Sequence, residues 1–183
     1  MNNQHPSWNE IINIRETLRD TYWEYWINHD LFSFNWWVLL VLNILFIYVA
    51  YKVLDRTRLF ELLTVGGLVI AFSTMLDVIL IQYVLTAYPT SLTPLSPSFF
   101  TSSTYIILPV SYMLLYQFFS TWKSFIVAMV IAGIFLAFVT ENVFRLLNIY
   151  QYIQWNSFLS LTIYMGIAII LKWIMNNLLK YQK

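Results

Sequence analysis

The stretch SFIVAMVIAGIFLAFVT, residues 124–140, decides the fold of this chain. No charged side chain interrupts it, and its only hydroxyls are at its two ends. A helix needs about 20 largely apolar residues, within a range of about 17 to 25, to cross the hydrocarbon core of a bilayer. We therefore predict a transmembrane helix over 124–140, with Glu141 directly after it.

Composition extends this prediction to the whole chain. Of its 183 residues, 60% are apolar and 10% are charged, whereas soluble domains have about 45–50% apolar and about 25% charged residues. The formal net charge is +1, and the basic residues are scattered, which argues against nucleic-acid binding. We predict an integral membrane protein whose surroundings are the lipid bilayer.

Four further segments have the length and apolarity of a membrane span, namely 36–53, 62–85, 103–122 and 158–174. The predicted fold class is an all-α polytopic membrane bundle with about five transmembrane helices. Residues 1–34 are expected to form an amphipathic N-terminal helix at the outer interface, and 35–183 the transmembrane domain. The uncharged, proline-rich stretch AYPTSLTPLSPSFFTSS, residues 87–103, is predicted to be a loop.

Basic residues predict the orientation, because lysine and arginine are enriched in short cytoplasmic flanks. With five spans, one side holds Lys52, Arg56, Arg58, Lys123, Lys172, Lys180 and Lys183, and the other Arg15, Arg19 and Arg145. This places the N-terminus outside and the C-terminus in the cytoplasm. Aromatic residues predicted at the outer interface are Trp36, Trp37, Tyr88, Tyr105, Tyr150 and Trp155.

The N-terminal segment has an apolar stripe at helical spacing, formed by Ile11, Ile14, Leu18, Tyr22, Tyr25 and Trp26. We expect this helix to lie on the outer interface or across the mouth of the bundle. It carries more acids than arginines, which argues against strong attraction to anionic lipid, so a lid or a contact with a partner fits better. A helix that only solvates the N-terminus is the alternative.

Asp77 is the clearest candidate for a functional group, since a carboxylate inside a span is costly and usually faces the bundle interior. Ser73 and Thr74 share its helical face. At about 1.5 Å per residue, Asp77 and Glu141 reach nearly the same depth. The sequence leaves open whether they face each other, and whether Asp77 serves packing or binding.

Glu141 has Arg145 four residues later, the spacing of a helical ion pair. We expect that pair to form, which would hold the carboxylate at the end of its helix. Gly133 with Ala137, and Gly67 with Ala71, are expected to allow close helix approach.

The third and fifth spans add further polar groups. Pro109 is predicted to bend the third span, and Tyr112 and Tyr116 share one of its faces. Whether these groups only join helices or line a shallow pocket stays open. The predicted ligand or ion site consists of Asp77, Glu141, Arg145, Thr74, Tyr112, Trp155 and Ser160.

Enzymatic chemistry has little support in the sequence. The chain has no cysteine, and both histidines, His5 and His29, precede the first span. Neither a P-loop nor a G-x-G-x-x-G motif is present. We expect no metal site, no cofactor and no catalytic residue.

The stretches YPTSLTPLSPSFF, LPVSYMLLYQFFSTWKSF, ENVFRLLNIY and WNSFLSLTIY follow one another between residues 88 and 164. In their order and landmarks they resemble a family of small uncharacterised multi-pass membrane proteins of endospore-forming Firmicutes. The resemblance implies a bacterial cell membrane and a connection with sporulation, and it supplies no ligand or reaction.

Most of the unusual residues gather toward one side of the predicted bundle. This favours a non-enzymatic scaffold or sensor that binds a small ligand or a protein partner, or a second copy of the chain, at its outer face. The alternative is a component of an ion- or proton-coupled channel or transporter that uses Asp77 and Glu141.

Overall fold

A computed structural model describes residues 5–95 and 103–180. The prediction of an all-α bundle is confirmed over these residues. The α-helices are α1 (Trp8–Tyr25), α2 (Phe34–Val53), α3 (Leu59–Gln82), α4 (Leu108–Phe118), α5 (Trp122–Ile134), α6 (Glu141–Leu146) and α7 (Ser157–Leu178). Two short strands are β1 (Thr86–Ala87) and β2 (Gln151–Tyr152). Residues 96–102 of the proline-rich loop, and Lys183 of the basic count, lie outside the described residues.

Three π-helical segments and one 3-10 turn extend these helices. The π segments are Trp26–Asp30 after α1, Ser103–Ile107 before α4 and Phe135–Thr140 between α5 and α6. The 3-10 turn, Arg56–Arg58, precedes α3. Because α5, its π segment and α6 follow without a break, they form one long helix.

Four helical stretches in the described residues are long and apolar enough to cross a membrane: Phe34–Val53, Arg56–Gln82, Trp122–Leu146 and Ser157–Leu178. Many of their large apolar side chains are exposed on the bundle, for example Val41 at 59% and Ile131 at 66%. Such exposure is costly in water and favourable in lipid, which supports the membrane prediction.

The third predicted span, 103–122, is shorter than expected. It is a π segment of 5 residues followed by 11 residues of α4, or about 24 Å at 1.5 Å per residue, against a hydrocarbon core of about 30 Å. The helix ends at Phe118, because Thr121 already caps α5 by accepting from the Ser124 amide. It nevertheless packs antiparallel along α3, with Tyr116 bonded to Glu61 at one end and Thr104 bonded to Asp77 at the other.

The apolar core fills the half of the bundle around Glu61, which we call the closed end. It is formed by α3, α4, α5 and α7, and its fully buried members include Leu62, Val65, Val69, Phe125, Met129 and Leu171. Gly66 allows the close approach of α4, since a Cβ there would lie 2.9 Å from Met113 Sδ. The expectation for Gly67 was wrong, because nothing lies within 4 Å of its Cβ position.

Lys172 is buried at the closed end, with 3% of its surface exposed. Its ammonium donates to the Ser120 carbonyl at 2.8 Å and lies 4.4 Å from the centre of the Tyr116 ring. It therefore holds the chain where α4 ends. The sequence placed Lys172 among the basic residues of one membrane side, but it did not predict that the side chain is buried.

The other end of the bundle is organised by pairing of β1 with β2, antiparallel, with Thr86 opposite Tyr152. The left-handed residues Val84 (φ 54°) and Asn148 (φ 55°) follow α3 and α6 closely and turn the chain toward these strands. The pairing ties the loop after α3 to the loop after α6. Asp77 and Glu141, one on each of the two helices, are thereby brought to the same end.

Candidate functional site

A cavity of about 100 Å³ opens between the helices at this end, which we call the cavity end. Its walls come from α2, α3, α4, α6 and α7, from the π segments before α4 and before α6, and from the two paired loops. One water needs about 10–15 Å³ in this measure, so the cavity has room for several waters or a small ligand. Its polar lining includes Ser73, Asp77, Tyr88, Thr90, Thr104, Glu141, Tyr150, Trp155, Ser160 and Tyr164.

Asp77 receives hydroxyl donors from two other segments. Tyr88, from the loop after β1, donates to Oδ1 at 2.7 Å, and Thr104, from the π segment before α4, donates to Oδ2 at 2.9 Å. One carboxylate thus joins α3 to the segments on either side of the proline-rich loop.

Glu141 is held in a similar way and is 8% exposed. The hydroxyls of Tyr152 and Tyr164 donate to its two carboxylate oxygens. The nearby Ser160 hydroxyl accepts from Trp155 Nε1 at 3.0 Å. The acid at the end of the long helix therefore binds α7 and the β2 loop together.

The expected ion pair between Glu141 and Arg145 is absent. Within the described part of the chain, ion pairs join Arg19 to Asp20 and Arg58 to Glu61. Arg145 instead donates to Asn142 Oδ1 at 2.9 Å and lies over the Tyr152 ring, 4.4 Å from its centre. The physical reason is that Glu141 turns into the bundle, while Arg145 stays exposed.

A row of tyrosines connects the two carboxylates. The rings of Tyr88 and Tyr150 are 5.1 Å apart, and those of Tyr150 and Tyr152 are 5.4 Å apart. The row begins at Asp77, which Tyr88 contacts, and ends at Glu141, which Tyr152 contacts. It depends on the pairing of β1 with β2, because these tyrosines lie in or directly beside the two strands.

Burial and charge act together on this row. Burial, and then the negative charges of Glu141 and Asp77, raise the pKa of Tyr150. Burial, and then the charge of Asp77, likewise raise the pKa of Tyr88. Since both carboxylates act on the one hydroxyl of Tyr150, they share a single electrostatic environment.

The N-terminal segment is hydrogen-bonded to the loop that lines the cavity. Three side chains spaced four residues apart contact Ser91: Tyr22 bonds to its hydroxyl at 3.0 Å, Trp26 donates to its carbonyl at 3.1 Å, and Asp30 accepts from its amide at 2.9 Å. Burial raises the pKa of Asp30. We call this set of contacts the Ser91 clamp. It fits the expectation that the helix lies near the bundle mouth, although Ile14 and Leu18 of the predicted stripe are exposed.

Four of the predicted site residues line the cavity, namely Asp77, Glu141, Trp155 and Ser160. The other three predicted residues do not line the cavity. Arg145 lies outside it, and the Thr74 hydroxyl is buried away from it. Tyr112 contacts the site indirectly, because its hydroxyl donates to the backbone carbonyl of the lining residue Tyr164 at 2.7 Å.

Sequence reasoning missed the roles of Tyr88 and Tyr150, which it had placed in an aromatic belt facing the outer interface. Both rings line the cavity instead. It also missed Thr104 and Tyr152 as carboxylate partners. For Tyr164, the other partner of Glu141, the sequence does carry a signal. Tyr164 follows Ser160 at a helical spacing of four, which predicts a common face for these two residues.

The charge of the lining is one-sided. Among the residues that the structure describes, no lysine, arginine or histidine lines the cavity, while two carboxylates do. In the same residues, no three His, Cys, Asp or Glu side chains come together as metal ligands would. The chemistry of the site is therefore that of acidic and hydroxyl groups beside aromatic rings.

Comparisons with protein-family models, with curated proteins and with solved structures found no match to this chain. The resemblance to membrane proteins of endospore formers therefore stays a prediction.

Proposed function

We propose that this protein is a non-enzymatic membrane sensor that binds a small ligand in the cavity between Asp77 and Glu141. The cavity itself is the observation that carries the proposal, because several helices and the two paired loops line it together with the half-buried Asp77 and the buried Glu141. In this proposal the cavity end faces the outside of a bacterial cell, as the distribution of basic residues predicts. A link with sporulation is proposed on the sequence resemblance alone.

The Ser91 clamp gives such a sensor a route for its signal. Thr90 and Ser91 line the cavity, and Ser91 is bonded to Tyr22, Trp26 and Asp30 of the N-terminal segment. A ligand that displaces this loop would also displace the end of α1. The displacement would move the exposed apolar side chains of that helix relative to the lipid or to a bound partner protein.

A component of an ion- or proton-coupled transporter is the second candidate, favoured by the two carboxylates in one cavity. Transport also requires a path to the closed end. There the apolar core, including Val65, Phe125 and Met129, fills the space between α3, α5 and α7. This packing favours the sensor over the transporter.

The absence of cysteine from the chain allows a direct test. Ser73 lines the cavity and bonds to the Val69 carbonyl of its own helix, so Ser73→Cys places one thiol there with little change of shape. The exposed Gln154 provides a matched position for a thiol outside the cavity at the same end. In nanodiscs, the neutral reagent methyl methanethiosulfonate should modify both variants, and failure of the Ser73→Cys variant alone to react would contradict a ligand-accessible cavity.

The same Gln154→Cys protein tests the orientation. An impermeant thiol reagent added to intact cells should label it if the cavity end lies outside.

The second candidate, a transporter component, is tested in proteoliposomes that carry a pH-sensitive dye. A proton flux that is present in the original protein and lost in Asp77→Asn would favour transport.

A further inference from the structure

We infer that the cavity binds a small organic cation, an alkylammonium group whose charge lies between Asp77 and Glu141 and whose apolar part contacts the rings of Tyr88, Tyr150 and Trp155. This inference rests on the proposed function and names the class of its ligand.

The charge of the cavity supports a cation. Asp77 accepts from the hydroxyls of Tyr88 and Thr104, and Glu141 accepts from those of Tyr152 and Tyr164, all of which are neutral donors. No basic side chain among the described residues lines the cavity, and Arg145 lies outside it. A lining with two carboxyl groups and no basic side chain among the described residues favours a cation over an anion.

The walls of the cavity support an organic cation. The hydroxyls of Tyr88 and Tyr164 are already used by the two carboxylates, so the rings are the remaining surface that these residues add to the lining. Aromatic rings attract alkylated ammonium groups through the negative potential of their faces. An aromatic wall beside a carboxylate therefore suits a cation that carries methyl or methylene groups.

The size of the cavity agrees with this class. About 100 Å³ exceeds what one metal ion or one water occupies, and three protein ligands for a metal do not come together in the described residues. Methylammonium, tetramethylammonium and choline cover the range of compact organic cations that such a space can accept.

The test is protection of a cavity thiol. The Ser73→Cys protein in nanodiscs is treated with neutral methyl methanethiosulfonate in the presence of each of these three cations at equal ionic strength. Neutral tert-butanol serves as a control for bulk, and sodium acetate as a control for salt. At ten times its Kd, a cation that occupies the cavity leaves about one site in eleven free, so it should slow the modification about tenfold. Gln154→Cys should show no protection.

Two isosteric substitutions connect protection with the acids. In Ser73→Cys proteins that also carry Asp77→Asn or Glu141→Gln, the neutral reagent should react at its original rate while protection by the cation falls about tenfold or more. Modification without protection by any of the three cations, or equal protection by tert-butanol, would overturn the ligand class and leave the proposed cavity intact. A Ser73→Cys thiol that is not modified at all would instead contradict the proposed function.

Discussion

Glu141 accepts a hydrogen bond from the hydroxyl of Tyr164 on the neighbouring helix α7, and it does not form an ion pair with Arg145, which lies on the same helix α6. The acid therefore connects α6 with α7 and leaves the arginine at the surface. This arrangement makes the two members of the expected ion pair unequal in their importance for stability.

We expect Glu141→Ala to lower the free energy of unfolding by about 2–4 kcal/mol, because it leaves the hydroxyls of Tyr152 and Tyr164 without their acceptor. Arg145→Gln should cost less than about 1 kcal/mol, since it removes an exposed cation from the Tyr152 ring. Titration with SDS in mixed micelles measures both. Equal losses, or recovery of stability on exchanging the two residues, would point back to an ion pair.

Asp30 should control the order of the cavity loop through the Ser91 clamp. Asp30→Ala removes the acceptor of the Ser91 amide, and a hydrogen bond to a charged group contributes about 1.5–3 kcal/mol. Hydrogen exchange at that amide should therefore rise about tenfold or more. Asp20→Ala is the matched control, because its ion pair with Arg19 is exposed. Equal exchange in both variants would show that the clamp does not order the loop.

The clamp should strengthen in acid. Burial raises the pKa of Asp30 in the docked segment, so this carboxyl binds a proton more tightly when docked than when free. Docking is then strongest below the ordinary carboxyl pKa and weakens as pH rises through the raised value. Protection of the Ser91 amide, corrected for the intrinsic effect of pH on exchange, should follow this course. Asp30→Asn should remove it, and a pH dependence that survives in this variant must come from another group.

At the closed end, Lys172→Met should lower the free energy of unfolding by about 1–3 kcal/mol. It removes the donor to the Ser120 carbonyl and the cation beside the Tyr116 ring. Lys180→Met, at an exposed position on the same side, should have little effect. A stabilised Lys172→Met protein would mean that burying the ammonium costs more than its contacts return.

Gly66→Ala and Gly67→Ala should differ although the residues are neighbours in α3. Alanine is favoured over glycine within a helix by about 0.5–1 kcal/mol, and nothing near Gly67 opposes this gain. At Gly66 the new Cβ would meet Met113 Sδ at 2.9 Å, which should cancel some or all of it. Thermal unfolding should rank Gly67→Ala as the more stable, and the reverse order would place the tight contact between α3 and α4 elsewhere.

The sequence was sufficient for the four long apolar helices and for placing Asp77 and Glu141 at the same end of the bundle. Uninterrupted apolar stretches predicted the helices, and the constant rise per residue along a helix predicted the placement of the two acids. The end of α4 was missed because it depends both on the Thr121 cap of α5 and on Lys172, which binds the Ser120 carbonyl from 52 residues away in the chain. The tyrosine row was missed because it requires β1 to pair with β2, and two-residue strands carry no periodic pattern.

The π segment before Glu141 has a consequence for sequence comparison. A π turn accommodates one residue more than an α-turn over the same stretch, and one residue corresponds to about 100° of rotation about an α-helix. A relative that lacked a single residue within Phe135–Thr140 would keep a continuous helix but turn its glutamate away from the cavity. A one-residue gap in an alignment, with the acid itself retained, would therefore mark a protein that has the bundle without the proposed binding site.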